Sequence, residues 1–584
     1  MEWVQIHWML INKNPTRHEI PLFCVYLKML LKRFIPILFL LLGFEANAQQ
    51  LSLVVSGTGE QETKVIDSVG YIKSFQNAKA IETEIKVLSD KLQHVGYLSS
   101  EITENSKAND STFTYRFALG KRIRIVHIYI GKDPELKSLA FPNEKDTVSL
   151  AISQTESYLN NVLQTLEKKG YSLAKLQLVN VRKKNNTLVA DLKIETGRQR
   201  VVNDIVFTGY DKMPEGHKRN IRRLYKNKTF NQETLQNLYN DVGKYRFLNQ
   251  TKYPEILFTT DTTKVYVYVE KAKPSRFDGL IGFANDEESA KLVFSGYLDL
   301  LLVNFANTGE EFSLYWKSDG QEQRTFNASI ELPYIFKSRF GVKAGLNIFK
   351  QDSTFQNTRT AIDVGYYFNY NTRLYLGYQS TESSDIQNQN TFSINDYKNR
   401  FATANLDFVD FKVDDFLFPE KTRLFLKAGI GSRDSNLQKN RQFFAEINAR
   451  HNFYLNEKNI VNVKSLNYYL SSDTYIINEL YRFGGINSIR GFNESSLQAN
   501  FLSSVLTEYR YVLAPNLYVH SIIDYGYFID ETSDMRDSLL GLGFGFGLQT
   551  RTGLLNLVYA NGSTGDQAIK LSNSIVHLSL KANF

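Results

Sequence analysis

The chain of 584 residues contains one cysteine, Cys24, which excludes a disulfide framework and any zinc site built on cysteines. Methionine (5), tryptophan (3) and proline (11) are also scarce. Long apolar runs are missing. The longest, Phe34 to Phe44, spans about 11 residues, too few to cross a bilayer core of roughly 30 Å as a helix. Charge of one sign does not dominate either: 69 Lys and Arg against 61 Asp and Glu leave +8, dispersed along the chain, which argues against a nucleic-acid partner. With a mean hydropathy of −0.31 and 22% charged residues, neither a disordered chain nor a multi-helix membrane protein fits. What the chain has in excess is aromatic residues. Forty Phe and 34 Tyr favour strands and amphipathic rings.

The short apolar run reads as the core of a signal peptide. Lys32 and Arg33 precede it, and Ala46, Asn47 and Ala48 supply small residues for cleavage before Gln49. The 28 residues ahead of Met29 are unusual for such a leader, so translation is expected to start at Met29. Cys24 then lies outside the mature protein, and its Leu-Phe-Cys context does not suit a lipoprotein anchor.

From Gln49 to about Lys273 one pattern recurs with a period of roughly 75 residues. Each copy opens on a strand (Leu51, Arg122 and Arg200 begin the three), passes through amphipathic helix, and closes on strands. Leu159, Val162, Leu163 and Leu166 follow the helical period, whereas Val265, Val267 and Val269 alternate. The expected unit is β-α-α-β-β, with boundaries at 49–120, 121–197 and 198–274. Gly96-Tyr97 and Gly170-Tyr171 read as structural helix ends, where glycine takes the left-handed cap. The arrangement resembles POTRA domains, periplasmic modules that precede outer-membrane assembly barrels. That resemblance implies client binding by strand addition at an open sheet edge.

Beyond Pro274 the helical period disappears. Residues 275–584 consist of short alternating segments broken by polar turns, and about 310 residues shared among 16 strands leaves roughly 19 per strand and turn. In the last segment Val576, Leu578, Leu580, Ala582 and Phe584 face one way and His577, Ser579, Lys581 and Asn583 the other. The expected fold class is therefore periplasmic α+β repeats followed by a transmembrane antiparallel β-barrel of about 16 strands.

Catalytic signatures are missing from the sequence. No HExxH, GxSxG or GxxxxGK[ST] occurs, the eight histidines are scattered and expected to be solvated or lumenal, and Asp414-Asp415 suits a turn better than an acid–base pair. The expectation is a protein that is not an enzyme and carries no metal or cofactor.

One constellation carries a mechanism. Ile489-Arg490-Gly491-Phe492 lies in a glycine-rich, polar stretch between strands, followed by Glu508 and Arg510, then by Asp524 and Gly526. An arginine inside a barrel needs a carboxylate, because the guanidinium cannot shed its charge; Asp524 is the expected partner, with Glu508 nearby. Gly541, Gly543, Gly545 and Gly547 recur every second residue, leaving one bare strand face on which another backbone could lie, with Phe544 and Phe546 opposite. This set resembles the BamA and TamA-like superfamily, whose Val/Ile-Arg-Gly-Phe/Tyr motif sits on a long extracellular loop folded into the barrel. The chain departs from the superfamily at Thr552 to Leu555, where the expected proline after the glycine is missing.

The resemblance implies a Gram-negative outer-membrane factor with its POTRA units in the periplasm. It would insert or translocate client chains at a lateral seam between the first strand, weakened by Gly279 and Gly282, and the last, which ends on Phe584 as a recognition residue. Its partners would be the lipid bilayer and unfolded outer-membrane or surface proteins, with room for periplasmic chaperones and accessory lipoproteins. The alternative is a two-partner secretion pore that conducts a polypeptide through the lumen. A passive porin would not need three periplasmic modules.

Overall fold

A computed structural model describes residues 50–583 apart from 143, 286–291, 319–322, 392, 413–414, 416, 437, 551–552 and 566–573. The leader with Cys24 and the cleavage site, together with Asp414, Thr552 and Phe584, lies outside the described residues.

The first α/β unit comprises β1 (Leu51–Gly57), α1 (Glu60–Val69), β2 (Ser74–Phe75), α2 (Ala78–His94), β3 (Glu101–Asn109) and β4 (Thr112–Ala118). Its sheet order is β2-β1-β4-β3, with β1 and β4 parallel. Leu53, Val55 and Phe117 from the sheet meet Ile66, Ile81 and Leu88 from the helices in one core. The Asn77 side chain accepts from the Ala80 N–H at 2.9 Å and starts α2. Gly96 ends it at φ +108°, where a Cβ would come within 2.0 Å of the Ile123 carbonyl oxygen. Strand β3 is exposed along its whole length at the sheet edge.

The second unit repeats this order with β5 (Ile125–Tyr129), α3 (Pro134–Ala140), β6 (Thr147–Ala151), α4 (Ile152–Lys168), β7 (Lys175–Lys184) and β8 (Thr187–Glu195), in the sheet order β6-β5-β8-β7. Both units thus carry one strand between their helices beyond the expected β-α-α-β-β. At two and five residues, β2 and β6 are too short to show a period of their own.

The third unit has β9 (Asp204–Thr208), α5 (Glu215–Tyr225), α6 (Gln232–Gly243), β10 (Leu248–Gln250), β11 (Glu255–Phe258) and β12 (Thr263–Lys271). Strand β12 pairs with all three others, and its alternating valines 265, 267 and 269 are buried in the core.

Sixteen antiparallel strands then form a closed barrel. They are β13 (Arg276–Asn285), β14 (Leu292–Val303), β15 (Glu311–Ser318), β16 (Arg324–Leu332), β17 (Phe340–Gln351), β18 (Phe355–Asn369), β19 (Thr372–Asp385), β20 (Tyr397–Phe411), β21 (Glu420–Ser435), β22 (Lys439–Tyr454) and β23 (Asn459–Ser472), then β26 (Phe501–Ala514), β27 (Leu517–Asp530), β28 (Met535–Gln549), β29 (Gly553–Thr564) and β30 (Ile575–Asn583). Between β23 and β26 a long loop carries its own small pair, β24 (Tyr481–Phe483) with β25 (Leu497–Ala499).

The burial pattern of the barrel is the reverse of a soluble sandwich. Along β18, Ile362 is 62% exposed and Asp363 only 5%. Leu376, Tyr378, Ile430, Ile523, Tyr525 and Phe544 face outward, while Gln379, Asn405, Asp407 and Arg433 are buried within. An apolar outside around a polar inside is stable only if the solvent outside is lipid.

The third α/β unit packs against the near-side turns of the barrel. Leu301, Val303 and Tyr370 join its core. At the centre lies His217 of α5, fully buried among Tyr245 (5.1 Å), Phe247 (4.9 Å), Tyr334 (4.8 Å) and Tyr370 (5.7 Å). A Cβ at Gly309 would reach 2.0 Å from this ring, so the turn can close only with glycine. Neither ring nitrogen has a hydrogen-bond partner among the described residues, and burial, with Arg373 as a lesser cause, pushes the imidazole down to about 3. His217 is thus neither solvated nor lumenal, contrary to expectation, because a packing partner from the distant barrel turns encloses it.

Candidate functional site

The loop from Asp473 to Asn500 enters from the far side of the barrel and is tied inside the lumen. Arg490 is 5% exposed and Asp524, on β27, is 0% exposed. The guanidinium donates through Nε to Asp524 Oδ2 at 2.8 Å and through Nη2 to Oδ1 at 2.6 Å, a bidentate fork. The Arg490 backbone N–H adds a third bond to Oδ2 at 3.0 Å. The remaining Nη1 pairs with Glu508 on β26, whose other oxygen takes Arg510 at 2.6 Å. Two carboxylates thus balance two guanidiniums, which offsets the desolvation that a lone buried charge would suffer.

The rest of the motif fits by shape. Ile489 is fully buried, and a Cβ on Gly526 would come within 2.3 Å of its Cδ1. Gly491 turns at φ +90°, and a Cβ there would lie 2.3 Å from the Gly562 nitrogen on β29. A Cβ on Gly541 would lie 2.3 Å from the Arg490 carbonyl oxygen. Loop backbone therefore lies directly on β28 and β29. Phe492 closes the contact over Gly562.

The four alternating glycines of β28 do not all serve the loop. Only Gly541 meets its backbone; Gly545 and Gly547 leave room for the His520 and Tyr518 rings leaning across from β27, and Gly543 for the Tyr559 carbonyl of β29. The cross-strand register sets this division, pairing Asp524, His520 and Tyr518 with Gly541, Gly545 and Gly547. On the opposite face Phe544 points outward and stacks on Tyr559 at 5.3 Å.

Further ties hold the same loop to other walls. Glu479, in a one-turn helix Ile477–Glu479, forms a buried ion pair with Arg433 of β21 and accepts from Gln442 of β22 at 2.7 Å. Next to it Asn478 donates to Ser383 Oγ of β19 and to the Asn395 carbonyl, each at 2.8 Å. Across the lumen, Glu494 accepts from Lys317 of β15 at 2.6 Å. No spacing in the sequence links these residues to the motif, and Gly562 sits in a run with no strand-glycine pattern.

At the seam β13 meets β30 through Arg276↔Asn583 and Phe277↔Ala582, whereas β13 pairs with β14 along its whole length. Gly279 and Gly282 lie beyond this short ladder, opposite Leu298 and Ser295 of β14. Asp415 caps a turn by accepting from the Leu417 and Phe418 N–H groups at 3.1 and 2.8 Å.

The chain is similar to solved BamA and CdiB structures. BamA from Haemophilus ducreyi lacking POTRA domains 1-3 has 15% identity and a TM-score of 0.47, covering 80% of this chain and 99% of that one. CdiB from Escherichia coli has 13% identity and a TM-score of 0.49, covering 86% and 98%. CdiB from Acinetobacter baumannii has 13% and 0.49, covering 80% and 90%. No protein-family model and no curated protein matches the chain.

Proposed function

We propose that this protein is a Gram-negative outer-membrane factor that inserts or translocates client polypeptides, with residues 49–120, 121–197 and 198–274 as periplasmic client-binding units and 275–584 as the barrel. The observation that carries this reading is the lumen loop. It is pinned by Arg490 to β26 and β27, by Glu479 to β21, and by Glu494 to β15. A polypeptide crossing through the lumen must break all three charged ties, two of which, Arg490 with Asp524 and Arg433 with Glu479, are buried and would leave uncompensated charges. Opening the seam breaks, among the described residues, two register pairs. The lateral route is thus the easier one, and a client strand can pair with the freed edges without a nucleotide. The exposed edge of β3 offers the same chemistry on the periplasmic side.

A disulfide between Phe277→Cys and Ala582→Cys tests this. Oxidised protein in liposomes should lose client insertion, and reductant should restore it. Insertion at the normal rate with the seam locked would favour the two-partner secretion pore, which conducts through the lumen.

A further inference from the structure

The turn joining β16 to β17 does something that neither the lumen loop nor the seam explains. Tyr334, Phe336 and Lys337 hold φ of 52°, 51° and 57°, a left-handed region that glycine enters freely and bulky side chains do not. The turn is nonetheless tightly bonded. Lys337 N–H donates to the Tyr334 carbonyl and Ser338 N–H to the Ile335 carbonyl, both at 3.0 Å, and the Ser338 hydroxyl caps Phe340 N–H at 3.0 Å. A sequence that keeps large side chains where glycine would relieve the backbone has a use for them. For Tyr334 the use is visible, since its ring wedges against His217, and a Cβ on Gly216 would meet its Cβ at 2.7 Å. Phe336 has no such partner among the described residues and is 96% exposed.

Its surroundings identify what covers it. Leu332, Phe340 and Phe368 all face outward along the rims of β16, β17 and β18, and Phe305 is exposed on the neighbouring near-side turn. Phe340, Tyr366 and Phe368 form a ladder of ring contacts at 5.6 and 5.0 Å. Arg339 donates to the Tyr366 hydroxyl at 2.8 Å, and Lys337 is exposed beside Phe336. Aromatic rings over an apolar band, with cations at their polar end, match the headgroup boundary of a bilayer.

We propose that Phe336 is a lipid-embedded foot. It inserts into the interfacial region of the leaflet on the side of the third α/β unit, with Lys337 and Arg339 at the lipid phosphates. Because Tyr334, two residues away, is wedged under α5, the foot holds the third unit at a set height against the membrane. This rests on the reading of the barrel as membrane-spanning.

The test uses tryptophan as a depth probe. In one full-length chain Trp3 and Trp8 become Phe, leaving Trp316, which faces outward between lumenal Tyr315 and Lys317. In a second, Trp316 also becomes Phe and Phe336→Trp is introduced. Both are reconstituted into phosphatidylcholine–phosphatidylglycerol vesicles, with and without bromine at carbons 6 and 7 of the acyl chain. Trp316 should be quenched by bromolipid, reporting the barrel in the bilayer. The probe at 336 should also be quenched, emit at shorter wavelength than free tryptophan, and resist aqueous iodide. Quenched Trp316 with an iodide-accessible, bromolipid-insensitive probe at 336 would overturn the foot alone. If Trp316 itself escapes quenching, the membrane reading fails and the foot with it.

Discussion

Arg490 is held by four hydrogen bonds from one residue to two carboxylates, so its loss leaves Asp524 without a counter-charge and Glu508 with Arg510 alone. Breaking a buried pair from one side costs about 3–5 kcal/mol. Arg490→Ala should therefore lower client insertion into liposomes about tenfold or more. Arg490→Lys should recover only part of it, because an ammonium cannot form the bidentate fork; full activity in the Ala variant would refute the assignment. His217 gives a prediction of opposite kind. Its neutral form is the folded one, with a value of about 3 against about 6.5 when released. Between those values the released state binds one more proton, so stability is full above about pH 6.5 and falls as pH drops, by about 1.4 kcal/mol per unit. Hydrogen exchange of α5 should accelerate from pH 7.5 to 5 beyond the intrinsic pH effect, and His217→Phe should remove that slope.

At the scale of elements, the loop between β23 and β26 is anchored at separate points along its length. Arg433 and Glu479 tie the part nearest β23, and the motif ties the middle. The two anchors can be separated experimentally. Arg433→Ala should raise ion conductance of the barrel in planar bilayers while leaving most client insertion intact, because Arg490 still holds the loop on β26 to β29. An unchanged conductance would show that this anchor does not restrict the lumen. The element boundaries themselves were partly open to reading. Long amphipathic α2 and alternating β12 show their periods in the residues, whereas two-residue β2 does not, and the mostly polar β3 carries no alternation because neither face is buried.

For the whole molecule, closure of sixteen strands satisfies the backbone hydrogen bonds laterally, so the barrel is expected to resist detergent until heated. Protein in SDS should migrate faster unboiled than boiled; identical mobility would argue against a closed barrel. The residues alone determined the division into α/β units and a strand-rich remainder, since periods of 3.6 and 2 are local properties. They also singled out Arg490 and Asp524, because a fixed charge among strands demands a partner and the glycines around them are legible as a group. Tertiary structure alone decided which glycines face the loop backbone and which face rings, that Arg433 meets Glu479, and that His217 is enclosed by turns from the barrel. Each of these depends on register and on contacts between segments tens to hundreds of residues apart, and a local pattern carries no record of which distant residue the closed sheet will bring opposite.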